Sequence, residues 1–379
     1  MILKKLTSII VLCLVSSIYA DTSKFYEIII DVGSSGSRIH IYSVEPDDQL
    51  PKIEQIFYHS VEPGFSTFAN EPNQIPFYLS RLFNPAQKFC YTEKLPCQDI
   101  PIYFLSTAGM RLLPQGVQKN MYNSVETWLQ DNTLFGEVKE IRTISGKNEA
   151  AYGWLESYED RIRNKEPLGA FFELGGASMQ YAFVVDKPEE SNHVIRLPDR
   201  SIFLNLGSWL GFGSNEAVRR VTSYWQNSKL LCYPKDYKSS SEFSYKSCFN
   251  LFKHYLEVNE DATPEKEAVA NAVKKNEPII MVANFRTLFE FFGTLDPGQI
   301  HNQLKSTCEL DWKTLRRKNP LVNPTTLGNF CVEGTYVMSL FDALGLPSQY
   351  AHYSIPYNSW TRGVVIHHWS QLNAQQAHA

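Results

Sequence analysis

The sequence lacks the features that mark several broad protein classes. None of its 7 cysteines stands in a C-x-x-C pair, which argues against a thiolate-ligated metal protein. No Lys/Arg-rich run occurs, and 36 basic against 40 acidic residues leave a net charge of −4, so no basic face for nucleic acid is expected. There is no G-x-S-x-G elbow for a serine hydrolase, no H-x-H or H-E-x-x-H zinc signature, and no Gly-Lys-Ser/Thr of a Walker A loop. Beyond residue 20 no apolar run reaches the length of a membrane span. What remains is an ordinary globular composition, 43% hydrophobic and 13% aromatic, in 379 residues. That length suits about two domains with substantial cores.

The N-terminus is of another kind. Lys4 and Lys5 precede an apolar run from Leu6 to Val15, then Ser16-Ser17-Ile18-Tyr19-Ala20. This charged, apolar, small-residue order reads as a secretory leader over residues 1–20 and predicts an exported, extracellular product. Cleavage after Ala20 removes Lys4, Lys5 and Cys13 and takes the net charge to −6. Cys90, Cys97, Cys232, Cys248, Cys308 and Cys331 remain, and an even count in an exported chain points to disulfides. Close spacing favours Cys90–Cys97, Cys232–Cys248 and Cys308–Cys331, while the count alone leaves other connectivities open.

Phe25–Ile30 and Arg38–Val44 read as two strands of a hairpin around a Gly/Ser turn. Ile100–Leu105 and Glu137–Ile144 read as further strands, and Val117–Leu129 and Glu149–Arg161 have helical spacing. Leu168–Leu174 and Met179–Val185 repeat the strand–turn–strand design of the beginning. Ile30-Asp31-Val32-Gly33-Ser34-Ser35 parallels Phe172-Glu173-Leu174-Gly175-Gly176-Ala177: an apolar strand ending in a carboxylate, one apolar residue, then Gly and small residues. Two similar halves are expected. Helices are expected over Thr263–Lys275, with Thr263 as N-cap and Pro264 first, over Phe285–Phe292, and over Cys331–Leu344, stopped by Gly345. Gly363–Ile366 looks strand-like, which would send His367 and His368 to opposite faces and prevent joint chelation. His352 is uninformative.

The turn Gly33-Ser34-Ser35-Gly36-Ser37-Arg38 offers closely spaced N–H groups and hydroxyls that suit an anion. Alone it is an ordinary hairpin connection, and so is Gly175-Gly176-Ala177-Ser178. Two such turns, each behind a strand-terminal carboxylate, could hold a polyphosphate and its divalent cation, which is what phosphoryl transfer needs.

Five blocks resemble the apyrase conserved regions of the nucleoside triphosphate diphosphohydrolases, ectonucleotidases related to guanosine diphosphatase. They are Asp31–Arg38 (DVGSSGSR), Ser106–Leu113 (STAGMRLL), Gly146–Trp154 (GKNEAAYGW), Glu173–Gln180 (ELGGASMQ) and Gly207–Ala217 (GSWLGFGSNEA). They stand in the family's order, and the likeness extends to Asn358-Ser359-Trp360-Thr361-Arg362-Gly363. The resemblance implies an α/β fold of two ribonuclease-H-like lobes, of the actin, hexokinase and Hsp70 superfamily, with the active-site cleft between them. Lobe I would comprise 21–150 plus about 342–379, and lobe II 151–341. Gly33, Ser34, Ser35, Gly36, Ser37 and Arg38 would bind phosphate from one side, and Gly175, Gly176, Ala177 and Ser178 from the other. Asp31 and Glu173 would hold a divalent cation, Mg²⁺ or Ca²⁺, through waters. Glu149 matches the general base, and Thr107, Ser178 and Gln180 match residues that orient the attacking water. Arg111 is read as a structural ion pair beneath the loop.

Two departures from the family pattern stand out. Glu173 occupies a position where most relatives have Asp, and the extra methylene carries the carboxylate about 1.3–1.5 Å outward. That could convert a water-mediated contact into a direct one or favour Mn²⁺. Asn284 and Phe330 match residues that face and stack on the nucleobase, but the neighbouring aromatic position is Thr326, so base selectivity is in doubt. As a residue alone, Phe330 reads equally as a core aromatic.

The expected protein is therefore a secreted, monomeric, divalent-cation-dependent hydrolase. Its expected reaction removes the terminal phosphate of nucleoside triphosphates, ATP foremost, and of some diphosphates. The rival readings are an exopolyphosphatase-like phosphohydrolase, which needs no base pocket, and a nucleotide-binding module without turnover, for which the loss of Asp at Glu173 speaks.

Overall fold

In the computed structural model the N-terminal hairpin opens the first of two sheets. The structure describes residues 24–224, 229–258, 269–270, 272–273, 275–294, 296–346, 353–354 and 359–376. The leader expected over residues 1–20, His352 and the expected N-cap Thr263 lie outside the described residues. Strand β1 (Phe25–Val32) pairs antiparallel with β2 (Ser37–Glu45), which pairs with β3 (Lys52–Val61). On its other side β1 pairs in parallel with β4 (Ile102–Ser106), and β4 with β5 (Val138–Thr143), giving the order β3-β2-β1-β4-β5. Ile28 and Ile30 are buried on one face of β1 and Ile29 on the other, which is why this strand reads as a continuous apolar run.

The second sheet repeats the plan. Strand β6 (Ala170–Leu174) forms a hairpin with β7 (Ser178–Val184), and β8 (His193–Arg196) and β9 (Ser201–Leu210) extend it. Strand β10 (Ile279–Ala283) then lies parallel to β6, as β4 does to β1, with the short β11 (Tyr353–Ser354) at the edge. Register makes the repeat explicit: Asp31 lies opposite Arg38 in the first hairpin, and Glu173 opposite Gln180 in the second. The two-lobed α/β fold expected from the sequence is the fold observed.

Helices α1 (Ile75–Thr92), α2 (Ala108–Arg111) and α3 (Gln115–Asn132) accompany the first sheet. Helix α4 (Gly146–Arg163) packs against strands β6, β7 and β9 and buries Trp154 and Tyr158. In the second lobe follow α5 (Ser214–Tyr224), α6 (Lys229–Cys232), α7 (Tyr245–Glu257), α8 (Asn284–Phe292), α9 (Pro297–Cys308), α10 (Trp312–Lys318) and α11 (Pro324–Ala343). Helix α12 (Thr361–Gln376) closes the chain. Disulfides join the three expected pairs, Cys90–Cys97, Cys232–Cys248 and Cys308–Cys331. No helix among the described residues is long and apolar enough to cross a membrane.

Two local expectations are corrected. Gly363–Ile366 is helical, not a strand. Val364, Val365 and Ile366 are buried with Trp360 and Trp369 in the core shared by α4 and α12, so packing overrides their β preference. The approach is so close that a Cβ on Gly363 would fall 1.9 Å from Tyr152 O. Glu156 of α4 caps the first turn of α12, accepting from the N–H groups of Ser359 and Arg362 at 2.9 and 3.0 Å. His367 packs on Tyr152, while His368 Nδ1 lies 3.0 Å from Glu27 Oε2, so the two rings do serve different partners. Helix α11 begins at Pro324, well before the expected Cys331. Asn323 caps it by accepting from the N–H groups of Thr325 and Thr326, with Pro324 at the first position. Gly345, at φ +58°, follows its C-terminus as expected.

Candidate active site

Strand β1 delivers Asp31 to the rim of a cleft of about 670 Å³ between the two sheets, and β6 delivers Glu173. Between them the cleft is lined by Gly33, Ser34, Ser35, Arg38, Thr107, Glu149, Gly175, Gly176, Ala177, Ser178 and Asn284. Residues scattered through the sequence thus meet in one place. Gly36 and Ser37 do not line it. The Ser37 hydroxyl is fully buried and accepts from Tyr78 Oη at 2.8 Å, so it supports the turn from behind.

The first loop is closed by Gly33 N–H donating to Gly36 O at 2.9 Å. The second is held by the segment leading into α5. Ser214 N–H donates to Gly175 O, Glu216 N–H to Gly176 O and Gly211 N–H to Ala177 O, at 2.8–3.0 Å. In a trans peptide the N–H points opposite to the C=O, so these bonds turn the N–H groups of Gly176 and Ala177 away from that segment. Gly213 is required there, because a Cβ would fall 2.2 Å from Ala177 N.

Ser145 caps α4, accepting from Asn148 N–H at 3.1 Å, and this sets Glu149 in the first turn. Both donors that reach Glu149 fall on Oε2: Arg111 Nη2 at 2.7 Å and Gln180 Nε2 at 3.2 Å. The Arg111 Nη2 also donates to Ser178 Oγ at 2.9 Å, and its Nη1 to Ile144 O at 3.2 Å. Gln180 Nε2 further reaches Ser178 Oγ at 2.5 Å and Ser208 Oγ at 3.0 Å. Arg111 is an ion pair as the sequence suggested, but its partner is the candidate base itself. Gln180 is fully buried, its Nε2 reaching Glu149 while its Oε1 has no hydrogen-bond partner.

Carboxylates crowd the cleft. Burial raises Glu149 above the usual range against the opposing charge of Arg111. Glu173 is pushed well above it by burial and then by Glu149, Asp31 and Glu156. Asp31 is raised by burial despite Arg38, whose Nη1 donates to Asp31 Oδ2 at 3.2 Å. Glu156, also on the cleft wall, is raised by burial to about 7. Glu173 Oε2 is buried without any hydrogen-bond partner. Of these carboxylate oxygens only Glu173 Oε2 is left buried and uncompensated, and beside Asp31 it suits a hard divalent cation. Among the described residues no three His, Cys, Asp or Glu side chains are grouped to hold a metal directly.

The nucleobase expectations divide. Asn284 lines the cleft and donates through Nδ2 to Ser214 Oγ at 2.7 Å. Phe330 does not reach it: the ring is 4% exposed and packs on Phe291 and Phe292, the core role that its residue type equally allowed. Reading the sequence missed several wall residues. His40, Gln55 and Tyr58 belong to β2 and β3, and Arg286, Thr287 and Glu290 to α8. Ser359 and Trp360, in a block already singled out, also line the cleft.

The model of the GDA1/CD39 (nucleoside phosphatase) family matches residues 17–378. Probable apyrase 5 of Arabidopsis thaliana is 26% identical over 377 residues, covering 86% of this chain and 76% of its own. The solved nucleoside triphosphate hydrolase of Neospora caninum superposes with a TM-score of 0.59 at 12% identity, covering 93% of both chains. An exopolyphosphatase of Cytophaga hutchinsonii superposes with 0.57 at 12% identity, covering 92% of this chain and 98% of its own. At such identities the structural likeness is one of fold, the actin/hexokinase/Hsp70-like arrangement of two lobes.

Proposed function

This chain belongs to the GDA1/CD39 (nucleoside phosphatase) family and hydrolyses nucleotide phosphates; from that premise we propose that it removes the terminal phosphate of nucleoside triphosphates, ATP foremost, and of some diphosphates, outside the cell. The observation that carries the reading is Glu149, a buried carboxylate with both its donors on one oxygen, at the meeting point of two anion-accepting loops. Oε2 is held by Arg111 and Gln180, so Oε1 is the atom that takes the proton from water attacking in line with the terminal phosphorus. Thr107 and Ser178 orient that water. The N–H groups of Gly176 and Ala177, the Gly33–Ser35 turn and Arg38 accept the charge that grows on the phosphate oxygens. Arg38 shifts part of its hydrogen bonding from Asp31 to phosphate when substrate binds.

Asp31 and Glu173 are the residues that would hold a divalent cation, Mg²⁺, Ca²⁺ or Mn²⁺, and the lone Glu173 Oε2 is the donor that fits it best. When bound, such a cation neutralises phosphate charge. Export is supported by the three disulfides, which belong to an oxidising compartment. Following ATP, ADP and AMP over time, with long-chain polyphosphate in parallel, tests the reading. Loss of terminal phosphate from ATP is expected. Turnover of polyphosphate alone would replace it with the exopolyphosphatase reading, and binding without turnover in any divalent ion with the nucleotide-binding module.

A further inference from the structure

The second-lobe wall of the cleft is the face of α8 that carries Asn284, Arg286, Thr287 and Glu290. None of these is aromatic. The rings that do line the cleft, His40, Tyr58 and Trp360, come from β2, from β3 and from the approach to α12. A nucleoside lying along α8 therefore meets polar groups rather than a stacking platform.

Distance along the helix orders these groups. Asn284 is tied to Ser214, whose N–H holds the second phosphate loop through Gly175 O. Glu290 stands six residues further on, about 9 Å along the helix axis. It is thus remote from the loops, on the side where the nucleoside lies when the phosphates occupy them. Arg286 Nε donates to Glu290 Oε1 at 2.6 Å, and Nη2 donates to the same oxygen. Oε2 is left without a partner among the described residues, and the side chain is 59% exposed. On an open helix surface an i,i+4 pair of this kind adds little. Its effect is geometric: on a residue that lines the cleft, Oε1 is pinned and Oε2 stays open to a donor.

A presented carboxylate oxygen accepts from hydroxyl donors, and the two adjacent hydroxyls of a ribose are the donors a nucleotide carries at that reach. We propose that Glu290 reads the ribose of the nucleotide, Oε2 accepting from the 2′- or 3′-hydroxyl, with Arg286 as the residue that positions it. The proposal rests on the nucleotide-hydrolysing reading of the same cleft. It makes the sugar a selected feature of the substrate, in a site whose second-lobe wall offers the base no ring.

The test compares dissociation constants for the β,γ-imido triphosphates of adenosine and of 2′,3′-dideoxyadenosine, both with Mn²⁺, measured by calorimetry. A hydrogen bond to a charged acceptor at a half-open site makes the ribonucleotide about tenfold tighter in the unaltered protein. Glu290→Ala removes that preference, Glu290→Gln keeps part of it, and Arg286→Ala diminishes it by releasing the carboxylate. General damage to the fold lowers both affinities together and leaves their ratio intact. A ratio near one in the unaltered protein, or a ratio that survives Glu290→Ala, overturns the proposal. Because binding is read without turnover, failure to hydrolyse ATP would sink the hydrolase reading and leave the ribose result to stand or fall by itself.

Discussion

Arg111 and Glu149 form an ion pair at 2.7 Å, with side chains only 14% and 7% exposed. Burial pushes the Glu149 carboxyl up, and Arg111 is the main group opposing it. Removing the cation therefore raises the pKa further. Arg111→Ala is expected to move the acid limb of the kcat/KM–pH profile upward by about 1–3 units, and Arg111→Lys by less. An acid limb that stays in place contradicts the pairing as a control on the base.

Glu173 brings a longer side chain to the position where the family resemblance implies Asp, and its Oε2 is buried without a partner. Glu173→Asp retracts the oxygens by roughly one bond length. The expected outcome is a changed ranking of activity among Mg²⁺, Ca²⁺ and Mn²⁺, with a matching change in the thermal shift each ion produces. Identical rankings in both proteins would remove Glu173 from the cation site.

The crowded carboxylates also predict how cation binding depends on pH. Asp31, Glu149, Glu156 and Glu173 are all raised by burial, so the folded state holds their protons more tightly than the unfolded state. The stability from that difference is complete below the ordinary carboxyl values of 3.8 and 4.5 and is lost as pH climbs through the raised ones, about 7 for Glu156. A divalent cation offsets the repulsion only once the carboxyls ionise. Differential scanning fluorimetry should show a larger Mn²⁺-induced rise in Tm at pH 8 than at pH 5. An equal rise at both would place the cation elsewhere.

Three disulfides, two of them tying helices of the second lobe together, predict that a reducing agent lowers the Tm, because the cross-links restrict the unfolded chain. An unchanged Tm, with six thiols titrating before reduction, would contradict them and the export they support.

Much of this was legible in the sequence because it is local. Asp31 and Glu173 stand at strand ends followed by Gly-rich turns, and the repeated pattern around them marks two similar lobes before any contact is known. Glu149 was legible as the first-turn residue of a patterned helix. What escaped depends on packing between distant segments. Val364-Val365-Ile366 has strand composition, yet it is helical because α4 offers it a buried face and the Glu156 carboxylate caps it. Phe330 lies one residue before a disulfide cysteine in an apolar helix, and only the position of Phe291 shows that it turns inward. Arg111 was visible as a charge in a loop block, while its partner on α4 lies 38 residues away. Arg286, Thr287 and Glu290 carry no motif, and they become part of the site only because β10 aims α8 along the cleft.

The central claim is that Glu149 is the general base, and its most direct test is ATP hydrolysis by Glu149→Gln in purified protein with saturating divalent cation. The amide keeps the shape and the bond from Arg111 to a side-chain oxygen but cannot accept the proton. Loss of a general base costs roughly 10²–10⁴ in rate, so kcat is expected to fall by at least about a hundredfold with binding of the nucleotide analogue retained. Turnover within about threefold of the unaltered protein would contradict the assignment.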